Sequence, residues 1–403
     1  MMFISASVLS NKSFAYDLAS TFDEAIQESE TGDLGEAINS FETILVEQPE
    51  LSRVRMELAL AYYRAMDFNS ARKSVNKVLE DESLPIAVRH EGHEFLGAIE
   101  RADKRHTWNG FINTGIGHDS NAYASPADSV INVENGTLSL GDRSEKSDVY
   151  IGTYLGAEHR YLSPNSVSFG KTKAAKLWNS GAYLYRADYV DESEVTVDVI
   201  SLNTGPALIA TREWAAQLKF GYDFYRLDSD HLANFLSADP EISWEIGTNE
   251  LTWWNSAQDR DYVDSDFADR DSTYLVTGLN YSWNSLGGKY GYEAGVEVFD
   301  EDADGAHFSN KGYGMNFELK YRGFRKLGLF AGYSYRDEDY NDLFPSFGEA
   351  RNDYANEFTA GFNYPFTRWM INGFVKHTDN QSNIALYDYD RTQYEMNITR
   401  YFQ

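Results

Sequence analysis

The sequence predicts a membrane all-β fold, a 14-stranded antiparallel outer-membrane β-barrel preceded by a short all-α domain. Three observations carry this reading. Beyond residue 105, apolar and polar residues alternate over runs of about 10–13 residues, the length a tilted strand needs to cross a bilayer. Short turns interleave with long links along that part of the chain. Before residue 105 the pattern is helical, rich in Ala, Glu and Leu, with an internal period. The chain therefore divides into a leader at 1–15, a helical domain at 16–106 and a barrel at 107–403.

Composition sets the limits. Aromatic residues make up 15% of the 403 residues, too many for a disordered chain. Despite a mean hydropathy of -0.51, β-strands remain free to cross a membrane, because alternation cancels in a hydropathy sum. No apolar run approaches the roughly 18–20 residues of a spanning helix. A formal charge of -28 repels a phosphate backbone, so nucleic acid is not an expected partner. With Cys 0, disulfides, thiolate metal sites and cysteine nucleophiles are excluded together.

The elements follow in order. Met1 to Ala15 holds a short apolar run and a small-x-small ending at Ser13-Phe14-Ala15, which reads as a truncated signal peptide. In the helical domain, Ala37, Phe41 and Ile44 are echoed 34 residues on by Ala71, Val75 and Val78. That spacing is the tetratricopeptide (TPR) period, in which small and large residues let paired helices nest. A further helix after Pro85 carries Val88, Phe95, Leu96 and Ile99 on one stripe. A repeat cannot bury its apolar face alone, so the helices must stack.

Fourteen strands are expected near 108–118, 148–160, 179–190, 194–208, 212–227, 236–247, 250–263, 271–284, 288–300, 311–323, 326–337, 352–365, 368–379 and 391–402. On one, Tyr313, Met315, Phe317, Leu319 and Tyr321 oppose Gly314, Asn316, Glu318, Lys320 and Arg322. The aromatic residues are expected largely in girdles facing lipid. Tight turns are read at 211–213, 247–249, 285–287, 323–325 and 366–368, and long links at 119–147, 228–235, 301–310, 338–351 and 380–390. Short turns lie on the periplasmic side of such barrels, which puts the helical domain there too. The link 161–178 departs, being long on the short-turn side.

Motifs for chemistry are scarce. Asp300, Asp302, Asp304 and Gly305 resemble the start of a calcium loop, but Lys311 stands where its bidentate Glu belongs, so a solvated acidic loop is expected. Asp337, Glu338 and Asp339 are read as an outer loop able to hold divalent ions that bridge lipopolysaccharide. No catalytic couple, metal site or cofactor is expected, and the protein is not read as an enzyme. In the last strand, Tyr394, Met396, Ile398 and Phe402 alternate with polar residues, an ending similar to the signal that barrel-assembly machinery recognises.

At the junction, residues 84–99 lead through Trp108 into GFINTGIGHDSNAY, whose first strand ends in His118-Asp119-Ser120-Asn121. This order, with the strand count and the chain's end, resembles the surface lipoprotein assembly modulator (Slam) family of outer-membrane translocons. The resemblance spans nearly the whole chain, although about 90 helical residues leave room for little more than two repeats of about 34. It implies a TPR-like periplasmic domain, a fourteen-stranded barrel in the bacterial outer membrane, and export of a surface lipoprotein or small secreted protein. Clients in that family serve metal or haem acquisition and host interaction. Its implied partners are outer-membrane lipid and lipopolysaccharide, the client, periplasmic chaperones and the barrel-assembly machinery.

On TPR geometry, Arg53, Met56, Leu60, Tyr63 and Arg64 would line a client-binding groove, or Met56 and Leu60 would pack between helices. Two other readings stay open. One is an exopolysaccharide export porin, which also joins TPR repeats to a barrel; the other is a passive diffusion porin.

Overall fold

The computed structural model describes residues 6–81, 84–170, 172–285, 288–324 and 326–402. The first five residues of the leader lie outside them, as do Gln403, Leu286 and Gly287 of one predicted turn, and Arg325 of another. Two compact units emerge. One holds Met1–Thr107, Arg160–Trp178 and Pro206–Ala216, and the other Trp108–His159, Asn179–Gly205 and Gln217–Gln403.

In the first unit five helices follow one another: α1 (Ala6–Thr31), α2 (Leu34–Glu47), α3 (Ser52–Arg64), α4 (Phe68–Leu79) and α5 (Ile86–Ala102). The 34-residue echo has a structural counterpart. Ala37, Phe41 and Ile44 of α2 are at most 1% exposed, and Ala71, Val75 and Val78 of α4 at most 2%. Ala37, Phe41 and Ile44 of α2 and Ala71 and Val75 of α4 fill one core, each large side chain contributing roughly 1.5–3 kcal/mol of burial. Gly32, at φ +102, ends α1; Asp67 opens α4 by accepting the amide of Ser70 at 3.1 Å. Ile99 of α5 is fully buried, as its place on the predicted stripe requires.

The barrel strands are β1 (His106–Asp119), β2 (Asp148–Leu162), β3 (Thr172–Tyr189), β4 (Val197–Ala210), β5 (Trp214–Leu227), β6 (Asp230–Ile246) and β7 (Asn249–Tyr262). They continue as β8 (Ser272–Asn284), β9 (Tyr290–Ala303), β10 (Asn310–Phe324), β11 (Leu327–Leu343), β12 (Ala350–Phe366), β13 (Trp369–Ser382) and β14 (Tyr389–Phe402). Each neighbours the next in sequence, and β1 closes on β14 antiparallel, from Gly110 opposite Phe402 to Asp119 opposite Gln393. A closed sheet leaves no unpaired edge. All fourteen predicted strands are present.

Several links depart from expectation. The segment 228–235 is no long loop: Asp228 and Ser229, at φ 47 and 70, make a two-residue turn straight into β6. Two successive positive φ values suit the right-handed strand twist of a hairpin. The acidic run Asp337, Glu338 and Asp339 is not in a loop either, because β11 runs on to Leu343, with Asp339 paired to Lys311 on one side and to Asn352 on the other. Asp300 and Asp302 likewise belong to β9.

The long link after β2 is explained without a miscounted strand. Val167–Phe169 forms a short strand against the start of β3, and the link joins the helical unit's own core. Asn69 donates to the carbonyl of Pro164 at 2.6 Å, and Ser166 donates to Asp67 at 3.2 Å. Lys173 sits 3.6 Å from Asp67 and 4.5 Å from the centre of the Tyr62 ring. Arg212, in the turn after β4, donates to the carbonyl of Glu30 at 2.8 Å.

Candidate functional site

Which sheet face is concave follows from contacts that skip a strand. Neighbouring strands lie about 4.8 Å apart, so side chains two strands apart meet readily only where the sheet curves inward. Arg260 of β7 reaches Glu301 of β9 at 2.9 Å, and Tyr150 of β2 donates to Glu395 of β14 at 2.9 Å. Arg336 of β11 bonds Glu297 of β9 at 3.0 Å. These residues fix the lumen face of every strand whose register joins theirs.

The opposite face carries Ile116, Leu275, Leu279, Val296, Val298, Met315, Phe317 and Met396, all of them exposed. A closed barrel with an apolar outside and a polar inside belongs to the outer-membrane class, since only hydrocarbon satisfies such an outer surface.

The lumen face carries rings as well. Most exposed rings, among them Phe220, Trp253, Phe317, Phe358 and Tyr394, lie on the outer face as expected, but Tyr150, Tyr274 and Phe299 point inward and are buried. Space for them comes from cross-strand glycines. A Cβ on Gly117 would lie 2.2 Å from the Tyr150 ring, and one on Gly278 would lie 2.6 Å from Trp254. Polar ladders fill other stretches, as where Asn113 and Asn372 both donate to Asn397, at 2.9 and 2.8 Å.

Charge on this face is compensated unevenly. Glu293 and Glu318 stand directly opposite on β9 and β10, and Lys320 bridges them at 3.1 and 2.8 Å. Glu245 and Glu250 stand directly opposite on β6 and β7. Glu250 accepts from the Thr252 hydroxyl at 3.1 Å, and among the described residues no cation bridges that pair.

The His118-Asp119-Ser120-Asn121 motif divides its roles. His118 points outward beside Tyr394, with ring centres 6.3 Å apart. Asp119 points inward and is fully buried; it accepts from Arg391 at 3.0 and 2.5 Å, Gln393 at 3.0 Å, Tyr189 at 2.9 Å and the amide of Asn121 at 3.0 Å. Ser120 exchanges bonds with the Thr392 backbone at 2.9 and 2.8 Å. Asn121, also fully buried, donates to the carbonyls of Ser125 and Asp390. The motif thus fastens the first strand to the last.

The predicted groove residues share α3 but not one fate. Arg53 stacks over the Phe22 ring at 5.2 Å, and Met56 packs against the helical core. Leu60 is half-buried. Tyr63 lies edge-on to Phe68 and Phe95, at 5.6 and 5.5 Å, and Arg64 donates to the carbonyl and hydroxyl of Ser29 at 3.1 and 2.8 Å. Tyr63 and Arg64 therefore hold α1, α3, α4 and α5 together. Nearby, Tyr62 donates to Glu42; burial, then that carboxylate, pushes the phenol well above its ordinary range, so it remains a donor. Among the described residues no three His, Asp or Glu side chains are grouped to hold a metal ion.

No family model and no curated protein matches the chain. Solved structures do. The anion-selective porin from Comamonas acidovorans is 10% identical over 74% of this chain and 99% of its own, with a TM-score of 0.42. The outer-membrane channel DcaP of Acinetobacter baumannii is 11% identical over 74% and 97%, also at 0.42. A bacterial polysaccharide outer membrane secretin is 10% identical over 72% and 98%, at 0.37.

Proposed function

We propose that the chain is an outer-membrane conduit, its strands crossing the bilayer and its polar face lining an aqueous path. The observation that carries this is the division of the faces: ion pairs and amide ladders on the concave side, exposed Leu, Val, Met and Phe on the other. A hydrated lumen keeps such charges solvated, and a 14-stranded barrel is wide enough to hold one. Reconstitution into planar bilayers tests it. Discrete ionic currents are expected from folded protein, and a folded barrel that passes no current contradicts the reading.

The finer reading is export of a client, a surface lipoprotein or small secreted protein, as the Slam resemblance implies. A helical unit that also grips the β2–β3 and β4–β5 links supports it, because a diffusion porin has no use for that unit. The helices would sit in the periplasm and hold a client or chaperone there, while lipopolysaccharide and barrel-assembly machinery are the envelope partners. No nucleotide site is expected, so client folding outside or periplasmic partners would supply the driving force. Co-expression with a neighbouring gene product is the test. A client that becomes protease-accessible on intact cells only with this protein supports export; conductance without client exposure favours the passive porin.

A further inference from the structure

The lumen wall formed by β2 to β6 contains a recess of 260 Å³ whose lining includes Tyr154, Tyr183, Tyr185, Asn203, Asp223 and Asp239. We propose that this recess binds an organic monocation, a guanidinium or alkylammonium group on an apolar stem. The proposal rests on the conduit reading only for the ligand's access.

Three features carry it. First, the wall is hollowed by small residues: a Cβ on Gly221 would lie 2.4 Å from the Ser237 hydroxyl, and one on Gly181 would lie 2.7 Å from the Tyr183 ring and 2.9 Å from Asn203. Second, one side is aromatic. Tyr154 and Tyr183 stack at 6.1 Å, Tyr185 meets Tyr154 edge-on at 6.4 Å, and the Tyr183 hydroxyl is engaged by Glu158 at 2.8 Å. Ring faces attract cations, and more strongly with carboxylates nearby. Third, the other side carries Asp223 and Asp239. Asp239 is oriented by hydroxyls, Ser237 at 2.9 Å and Ser256 at 2.5 Å, and no ion pair consumes either carboxylate among the described residues. Lys219 also lines the recess. With one lysine against two aspartates, the recess keeps a net negative charge that a monocation balances. The Glu–Lys–Glu and Arg–Glu sets elsewhere on the lumen face already hold their own cation.

Equilibrium binding to the folded full-length barrel in detergent tests the site without requiring conduction. N-acetylarginine amide should bind, and its neutral isostere N-acetylcitrulline amide should bind about 10-fold more weakly. Asp223→Asn with Asp239→Asn should cost the arginine probe about 10-fold, and Tyr183→Leu about 3-fold, with strand content by circular dichroism unchanged. A dodecapeptide with one arginine distinguishes sources: tighter binding than the amide assigns the site to a passing chain, and equal binding assigns it to a free solute. Equal affinity for the arginine and citrulline probes, or affinity unchanged in the double Asn variant, overturns the proposal. Absence of current in bilayers beside intact discrimination would instead overturn the conduit reading alone.

Discussion

Two pairs of glutamates face each other across strands of the same lumen wall, and only one has a cation between them. Glu293 and Glu318 share Lys320, whereas Glu245 and Glu250 are left to each other and to solvent. Like charges directly opposite cost a few tenths to about 1 kcal/mol. Side chains able to relieve that cost exist on this fold, as Lys320 shows, so the open pair is a tolerated expense that only a hydrated lumen keeps small. At the other extreme stands Asp119, fully buried, where a carboxylate without its arginine would have little water to turn to. The three carboxylate settings form a series from dry to wet, and the series can be tested by removing or adding one cation in each.

The dry end gives the largest expected effect. Arg391→Met leaves the Asp119 charge buried with neutral donors, which should cost about 3 kcal/mol. Urea unfolding in lipid vesicles, followed by tryptophan fluorescence, measures this, and a loss below about 1 kcal/mol would mean that Asp119 is better hydrated than its burial implies. Next comes Lys320→Met, which turns the bridged pair into an open one. These groups are partly exposed, so about 1 kcal/mol is expected, shrinking as salt is raised. Smallest is Glu250→Lys, which closes the open pair: a gain of about 0.5 kcal/mol at low ionic strength. A loss in that variant would show that the Glu245 and Glu250 side chains do not feel one another.

The strands were legible because a period of two is written into each of them, and closure followed once fourteen were counted. The Asp228-Ser229 turn was not, since it reaches positive φ without the glycine or asparagine that usually announces it. The smaller set of inward rings was not legible for a related reason. Alternation tells apolar from polar, but Tyr150 and Tyr189 lie on the polar face and pair with Glu395 and Asp119, groups that only closure and inward curvature of the sheet bring near. The His118 to Asn121 motif stood out in the sequence, yet the partner that explains Asp119 is Arg391, 272 residues away. On α3, spacing identified the helix face, but whether Tyr63 and Arg64 met a groove or another helix depended on α1 and α5.

The central claim is that the barrel has a lipid-facing and a water-facing side, and the lack of native cysteine makes it directly measurable. Single substitutions Leu279→Cys and Asn280→Cys on β8, and Met315→Cys and Asn316→Cys on β10, place a thiol on each side of adjacent positions. In intact membranes, a charged, water-soluble maleimide should label the variants at 280 and 316 and leave those at 279 and 315 unlabelled. Equal labelling at all four positions, or the reverse pattern, would contradict the account.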